Sequence, residues 1–358
     1  MIRWRKGTVQ TIRREWPGSV ELDVLIDGTV ARALAYPALV GRPEPGDTVL
    51  LNTTALAMGL GTGGYAMVIA VPDRLPPDPA GPGHLVKARY TPLQATVLGV
   101  DEQDSPHHAL LAEADTLDGM PVIVADLHSA LPALLAGLLQ HRPDARVVYV
   151  MPDGGALPAW FSMSIAQLKD AGALAATITV GQAFGGDLEA VTVHTGLLAA
   201  RHVLNADVVI LAQGPGNLGT GTTWGFSGVC AGEAVNATAT LHGRPVGSLR
   251  VSEGDLRERH LGISHHSLTA YGRVALARAA IPVPVLPGRF GARVTAQASG
   301  LAARHDLARI EIDGLEETIR TAEKNWGVRM STMGRRIDAD LAYFLTCASA
   351  GRYTARLL

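Results

Sequence analysis

The densest chemistry in this sequence lies in two stretches. "AQGPGNLGTGTTWGFSGV" (212–229) follows the strand-like "ADVVIL" and is crowded with glycines and with Thr and Ser hydroxyls. Gly214, Gly216 and Gly219 spell a literal G-x-G-x-x-G. Glycines at this spacing let backbone amides approach an anion, and neighbouring hydroxyls can add donors. Gly214, Gly216, Asn217, Gly219, Thr220 and Thr222 are therefore the candidate anion-binding residues, for a phosphorylated, carboxylated or nucleotide-like small molecule. The dinucleotide form of the motif is incomplete. Pro215 removes one N–H, the helical pattern resumes only near Ser227, and Glu253 and Asp255 lie well past the roughly 20 positions expected of a ribose-binding acid. A phosphate-loop lysine is missing as well, since "GxxxxGK[ST]" does not occur. The competing reading is a sharp structural turn.

The second stretch, "RERHLGISHHSLTAYG" (257–272), gathers Arg257, Arg259, His260, His265, His266 and Ser267 ahead of a helix. Consecutive histidines are expected to point apart and so not to bind one metal together, one facing chemistry and the other the helix start, with Ser264 or Ser267 as the cap. Acids and imidazoles also follow several apolar runs: Asp126 and His128 after "PVIVA", Asp153 after "VVYVMP", and Asp187 and Glu189 in "QAFGGDLEAVTVHTG". On an extended segment, Asp187 and Glu189 share one face. Groups of this kind serve proton transfer or hold a divalent metal. The candidate catalytic residues are Asp126, Asp187 and His265. The candidate metal ligands are His128, Asp187, Glu189 and His266. Each of these types is also common in ordinary turns and caps. A serine-nucleophile elbow, H-E-x-x-H, zinc-finger spacing and an EF-hand loop do not occur in the sequence.

Positioning such groups needs a scaffold, and the rhythm of the chain supplies one. Residues 1–75 read as short strands with turn punctuation, including an Asp27–Gly28 hairpin signal, which predicts a small all-β barrel or sandwich. A proline- and glycine-rich stretch over 76–93 reads as a linker. From 94 to 358 apolar strands alternate with helices, as expected of an α/β domain with a mainly parallel, doubly wound, Rossmann-like sheet. "QATVLGV", "PVIVAD", "ARVVYVMPD", "LAATITVG", "ADVVILA", "RPVGSLRVS" and "IPVPVLP" are predicted strands, and "SLTAYGRVALARAA" a helix. In such sheets ligands bind outside the carboxyl ends of the strands. One internal echo, "GLGTGGY" (59–65) against "NLGTGTTWG" (217–225), raises the option of a shared ligand role.

Composition narrows the classes. A net charge of −2 without a basic face excludes nucleic-acid binding as an expectation. Apolar runs stay shorter than the roughly 18–20 residues of a membrane helix, so no membrane partner is expected. "MIRWRKGTVQ" has no apolar signal region, and two cysteines cannot build a disulfide framework, so a cytoplasmic location is expected. Apolar residues make up 47% against 18% charged, which predicts a homo-oligomer.

"GDTVLLNTTALAMGLGTGGYAMVIA", "SPHHALL", "VGQAFGGDLEAV", "GPGNLGTGTTWGFSGV" and "RERHLGISHHSLTAYGRVAL" together resemble, in that order, a bacterial protein family of the domain-of-unknown-function type, DUF3866. The resemblance runs through most of residues 45–290 and implies no reaction, cofactor or catalytic residue. The residues themselves predict an enzyme acting on an anionic small molecule by hydrolysis or group transfer. The alternative is a non-catalytic ligand-binding or scaffold protein.

Overall fold

Val9, Val24, Val49, Leu51 and Val68 are buried between more exposed neighbours along a set of short strands, and Val20 and Leu22 are buried with them. The strands are β1 (Trp4–Trp16), β2 (Ser19–Ile26), β3 (Thr29–Ala35), β4 (Thr48–Asn52) and β5 (Ala66–Ala70), with one-turn helices α1 (Pro37–Val40) and α2 (Thr54–Ala57) between them. They close into a barrel in the order β1-β2-β3-β5-β4. β1 pairs with both β2 and β4, and breaks of register after Val9 and Ile12 accompany its long course around the barrel. β3 and β5 run parallel. This strand order is that of OB-type barrels. The predicted hairpin sits where Asp27 (φ 48°) and Gly28 (φ 80°) both take the left-handed region, as the tight turn between twisted strands requires.

The computed structural model describes residues 1–60 and 63–358. Gly61 and Thr62 of the "GLGTGGY" echo lie outside the described residues. Two compact units emerge: Met1–Leu98 with Trp160–Ala166, and Gly99–Ala159 with Gln167–Leu358. The stretch expected to be a linker contributes β6 (Leu85–Lys87), which pairs antiparallel with β7 (Ala95–Val97). Residues 95–97 of "QATVLGV" are therefore a hairpin arm, and only its end reaches the large sheet, where Gly99 bridges parallel to Glu189. Only three residues pair there, and none of β7 is fully buried, whereas a central parallel strand is covered on both faces.

The second unit runs α3 (His108–Glu113), β8 (Pro121–Ala125), α4 (Leu131–Leu139), β9 (Val147–Met151), α5 (Met163–Asp170), β10 (Ala176–Thr179), β11 (Leu188–Glu189), α6 (Val193–His202) and β12 (Val208–Ala212); the start of α5 belongs to the first unit. It continues with α7 (Cys230–Thr240), β13 (Arg244–Gly247), β14 (Val251–Ser252), β15 (Gly262–Ile263), α8 (His265–Thr269), β16 (Ala280–Pro284), α9 (Gly288–Ser299), β17 (Asp306–Ile310), α10 (Leu315–Asn325) and α11 (Leu341–Ala355). Eight strands form one parallel sheet in the order β11-β10-β9-β12-β8-β13-β16-β17. Every residue of β8, β9 and β12 is buried, which is why these segments read as unbroken apolar runs.

Helices cover the sheet in two groups. α4 packs against α10 and α11, while α7 packs against α6 and the turn at Ala270–Val274. α4 and α11 meet closely because each supplies a glycine: a Cβ on Gly137 would stand 1.9 Å from the Ala348 carbonyl oxygen, and one on Gly351 2.1 Å from that of Leu134. Two predicted elements end early. "RPVGSLRVS" leaves the sheet at Gly247, and Val251–Ser252 pair instead with Gly262–Ile263. The helix predicted from Ser267 begins at His265 and passes into a π-turn over Ala270–Val274, where the buried Tyr271 hydroxyl reaches the Val124 and Ser248 carbonyls at 2.9 and 3.1 Å.

The topology fixes one special place. From β8 the chain moves to β9, β10 and β11; it returns through β12 and then passes to β13, β16 and β17. β8 and β12 are thus neighbours whose following connections leave in opposite directions. A crevice outside their carboxyl ends is where an open α/β sheet binds its ligand.

Candidate functional site

The first residue beyond each of the two switch-point strands is polar and buried. Asp126 follows β8, and Gln213 follows β12. Gln213 donates through Nε2 to the Asp126 carbonyl at 2.7 Å and to Asn217 Oδ1 at 2.9 Å. Asp126 is 4% exposed, and its Oδ2 has no hydrogen-bond partner. The break in the strand after Gly247 carries Arg250 into the same region, where it is 2% exposed. Arg250 Nη1 lies 3.3 Å from His266 Nδ1, and Asp126 Oδ2 lies 3.8 Å from that same nitrogen. A buried carboxylate and a buried guanidinium therefore converge on one imidazole. Arg250 Nη2 has no hydrogen-bond partner and faces Asp255 Oδ2 at 3.9 Å.

Two further histidines complete the cluster. One ring nitrogen from each of His260, His265 and His266 lies within 4.8 Å of the others. Ser264 holds two of them in place: its Oγ contacts His260 Nδ1 at 2.7 Å and accepts from the His266 amide at 3.2 Å, capping α8. Phe226, at the far end of the glycine loop, stacks on the His266 ring at 3.9 Å and meets His265 edge-on. His265 and His266 do not point apart, as their ring centres are 4.4 Å from one another.

Electrostatics follow from burial and from the arginines. Burial, then Arg250, pushes His260 and His266 down to about 3. His265 is lowered by burial and then by Arg259. The three rings are consequently neutral near pH 7. Burial raises the Asp126 carboxyl above the ordinary range, with Arg250 pulling the other way. Around this centre two carboxylates are held by arginines. Arg257 grips Asp255 with two donors at 2.9 and 2.7 Å and holds its carboxyl well below the usual range. Asp340 accepts from Ser252 Oγ at 2.6 Å, from the Glu253 amide at 3.0 Å and from Arg335 Nε at 2.9 Å. Both thiols are pushed up to about 12 by burial, so neither Cys230 nor Cys347 is a ready nucleophile.

With this geometry in view, the comparison with protein families is decisive on one point. The profile of the family described as "Protein of unknown function (DUF3866)" matches residues 32–351. The chain belongs to the DUF3866 family. A comparison with curated proteins finds no match. Among the described residues no helix is long and apolar enough to cross a membrane.

In this DUF3866 chain the residues expected from sequence divide into three sets. Asp126, His265 and His266 come together at the switch point. His128 sits close by, in the turn after Asp126, where its Nδ1 lies 3.0 Å from the Tyr149 hydroxyl. That hydroxyl is directed at the Ala212 and Gln213 carbonyls, so His128 Nδ1 is the donor in the pair. Burial lowers His128 to about 4.

Asp187 and Glu189 stand elsewhere, and both are committed to their own turn. Asp187 accepts from the Thr177 amide and hydroxyl at 2.7 and 3.0 Å and pairs with Lys169. Glu189 accepts from Thr179 Oγ1 and from the Gly185 amide, each at 2.6 Å. They share a face as expected, but four strand spacings from β8, on the order of 19 Å across the sheet. The structure does not bring Asp187 to Asp126.

The glycine loop of this DUF3866 chain forms an exposed hairpin-like flap, closed by a bridge between Gly219 and Phe226. Gly214 is buried at its base, and Gly216 takes φ +93° with open space around it. Asn217 Oδ1 accepts from Gln213 and from Ser227 Oγ (3.1 Å), while the Thr220 and Thr222 hydroxyls lie 3.1 Å apart. These side chains brace the flap from within. Arg250 was not singled out on sequence; His260 was gathered in the second stretch without a role, and Gln213 and Phe226 lay in the first without being named. A lone arginine inside the apolar "VGSLRVS" was the one available signal.

Proposed function

We propose that the crevice at the β8–β12 switch point binds an anionic small molecule and transforms it by hydrolysis or group transfer. What carries this reading is the pair of unsatisfied groups, Asp126 Oδ2 and Arg250 Nη2, buried around His266 in one place. Leaving a buried charged donor and acceptor unpaired costs several kcal/mol in general, and a bound ligand relieves that cost. Arg250 is the cationic contact for the anion, because its ion-pair partner Asp255, at 3.9 Å, is held more closely by Arg257 and Arg335. Asp126, with His265 and His266 beside it, is the acid–base group. The flap over 214–226 borders the same region through Phe226 and offers backbone amides as further donors. An incomplete dinucleotide motif favours hydrolysis or transfer over hydride chemistry.

A ligand panel tests this. Nucleotides, sugar phosphates, carboxylates and coenzyme A are screened for thermal stabilisation of the pure protein. A ligand at a hundredfold its Kd stabilises the folded state by about 2.7 kcal/mol. One anionic class should raise the midpoint, Arg250→Gln should abolish the shift, and Asp126→Asn should keep binding and lose turnover. If Arg250→Gln, folded by circular dichroism, keeps the full shift, the site assignment is wrong.

A further inference from the structure

We infer that His260, His265 and His266 form a binding site for one divalent transition-metal ion of the zinc class, with Asp126 as the carboxylate that orients His266. The inference rests on the crevice proposed above being a working site, and names what holds its chemistry. Three imidazoles within 4.8 Å of one another are close to the spacing that a single ion with bonds of about 2.0–2.1 Å requires, and shifts under an ångström complete it. The Nδ1 atoms of His260 and His266 are occupied by Ser264 and by the Arg250–Asp126 pair, which leaves Nε2 as the nitrogen each presents. His265 Nε2 is buried and has no hydrogen-bond partner. A buried ring nitrogen without a partner, beside two more imidazoles, is the arrangement a metal satisfies.

Asp126 supplies a second, independent observation. Its Oδ2 is unpartnered and 3.8 Å from His266 Nδ1. When His266 Nε2 binds a metal, Nδ1 carries the proton and must donate, so it turns from Arg250 to Asp126. Ligating histidines are generally fixed by a carboxylate or carbonyl in this way. The turn frees Arg250 Nη1 for an anionic ligand. Nearby arginines are largely countered by acids: Asp255 faces Arg250, Arg257 and Arg335, Asp340 pairs with Arg335, and Asp126 lies beside His266, which leaves Arg259 as the cation a bound ion faces beside His265. Three nitrogen donors exclude magnesium and calcium, which take oxygen ligands, and leave an open position of the kind catalytic zinc sites keep. With the metal in place His265 and His266 act as ligands, and the position left open is where the anionic substrate or a water would sit.

The test uses untagged full-length protein, stripped by chelator and titrated with cobalt(II), with no anionic ligand present. Visible d–d absorption should saturate at one ion per chain, zinc should displace cobalt, and magnesium should not. His265→Gln, whose side chain is half-buried and so tolerates change, should weaken cobalt binding at least about tenfold, and His260→Ala likewise. Asp126→Asn should weaken it by about 10–100-fold. Absence of a cobalt band in folded wild-type protein, or wild-type affinity in both histidine variants, overturns the inference. Because no anion is present, such a failure is separate from failure of the ligand panel, which reads Arg250 without metal.

Discussion

Asp187 shows how much a single carboxylate depends on its neighbours. Burial by itself would raise its carboxyl, but the Lys169 ammonium and the Thr177 amide and hydroxyl override that and hold it below the ordinary range. A carboxyl more acidic in the folded than in the unfolded state adds stability above the unfolded pKa. That contribution disappears as pH falls through the folded value. Asp187→Asn should therefore lower stability at neutral pH and flatten the acid limb between about pH 5 and pH 2, read by urea unfolding across that range. A variant whose acid limb superimposes on wild type would show that the Lys169–Asp187 pair contributes nothing. At this scale the sequence was legible in part. Asp126 is marked by the strand-end rule alone, because residues just past a central parallel strand lie at the edge where open α/β sheets bind ligands. Arg250 is not, since its place depends on the strand breaking at Gly247. The meeting of His265 with His266 was missed because successive helical positions diverge by about 100° around the axis. Their side chains nonetheless turn back under Phe226.

Among the elements, the α4–α11 contact is the most tightly constrained. The backbones approach so closely at Gly137 and Gly351 that a methyl group on either would overlap a carbonyl of the other helix. Overpacking generally costs about 1–3 kcal/mol, occasionally more. Gly137→Ala should lower the melting midpoint accordingly, although alanine is the better helix former. An unchanged midpoint would mean that the helices can part without loss. Both helices were readable from their apolar runs. Their mutual closeness was not, because α4 and α11 are separated by nearly the whole α/β unit in sequence. The glycine loop is a case where the motif predicted an anion cradle and the Asn217, Thr220, Thr222 and Ser227 side chains bond within the flap, so that backbone amides are the donors the proposed site has left there.

For the whole molecule, the two units do not follow a single cut in the chain. Trp160–Ala166, far along the sequence, belongs to the barrel unit. The Trp160 carbonyl accepts from Trp16 Nε1 and Ser19 Oγ, both at 2.7 Å, and its ring tilts against Tyr36 at 6.1 Å. Leu34, Tyr36 and Tyr65 form a small apolar cluster with Trp160 and Phe161 packed against it. Trp160→Ala should destabilise the barrel unit by about 2 kcal/mol, roughly half of what a fully buried tryptophan costs. Tryptophan fluorescence during urea unfolding reads the effect, and an unshifted transition would place the segment outside the barrel's stabilising core.

What the sequence determined by itself is the local alternation. Period-two patterning with turn residues predicted a β module, and apolar strands alternating with helices predicted a doubly wound parallel sheet, because side-chain periodicity is set by backbone geometry alone. It also marked Asp126, His265 and His266. Only the tertiary structure decided which of these residues meet. It set Asp187 and Glu189 four strand spacings from Asp126, drew in Arg250, and brought His260 to His265 and His266. Strand order did this, and strand order is set by long-range packing that no local pattern encodes.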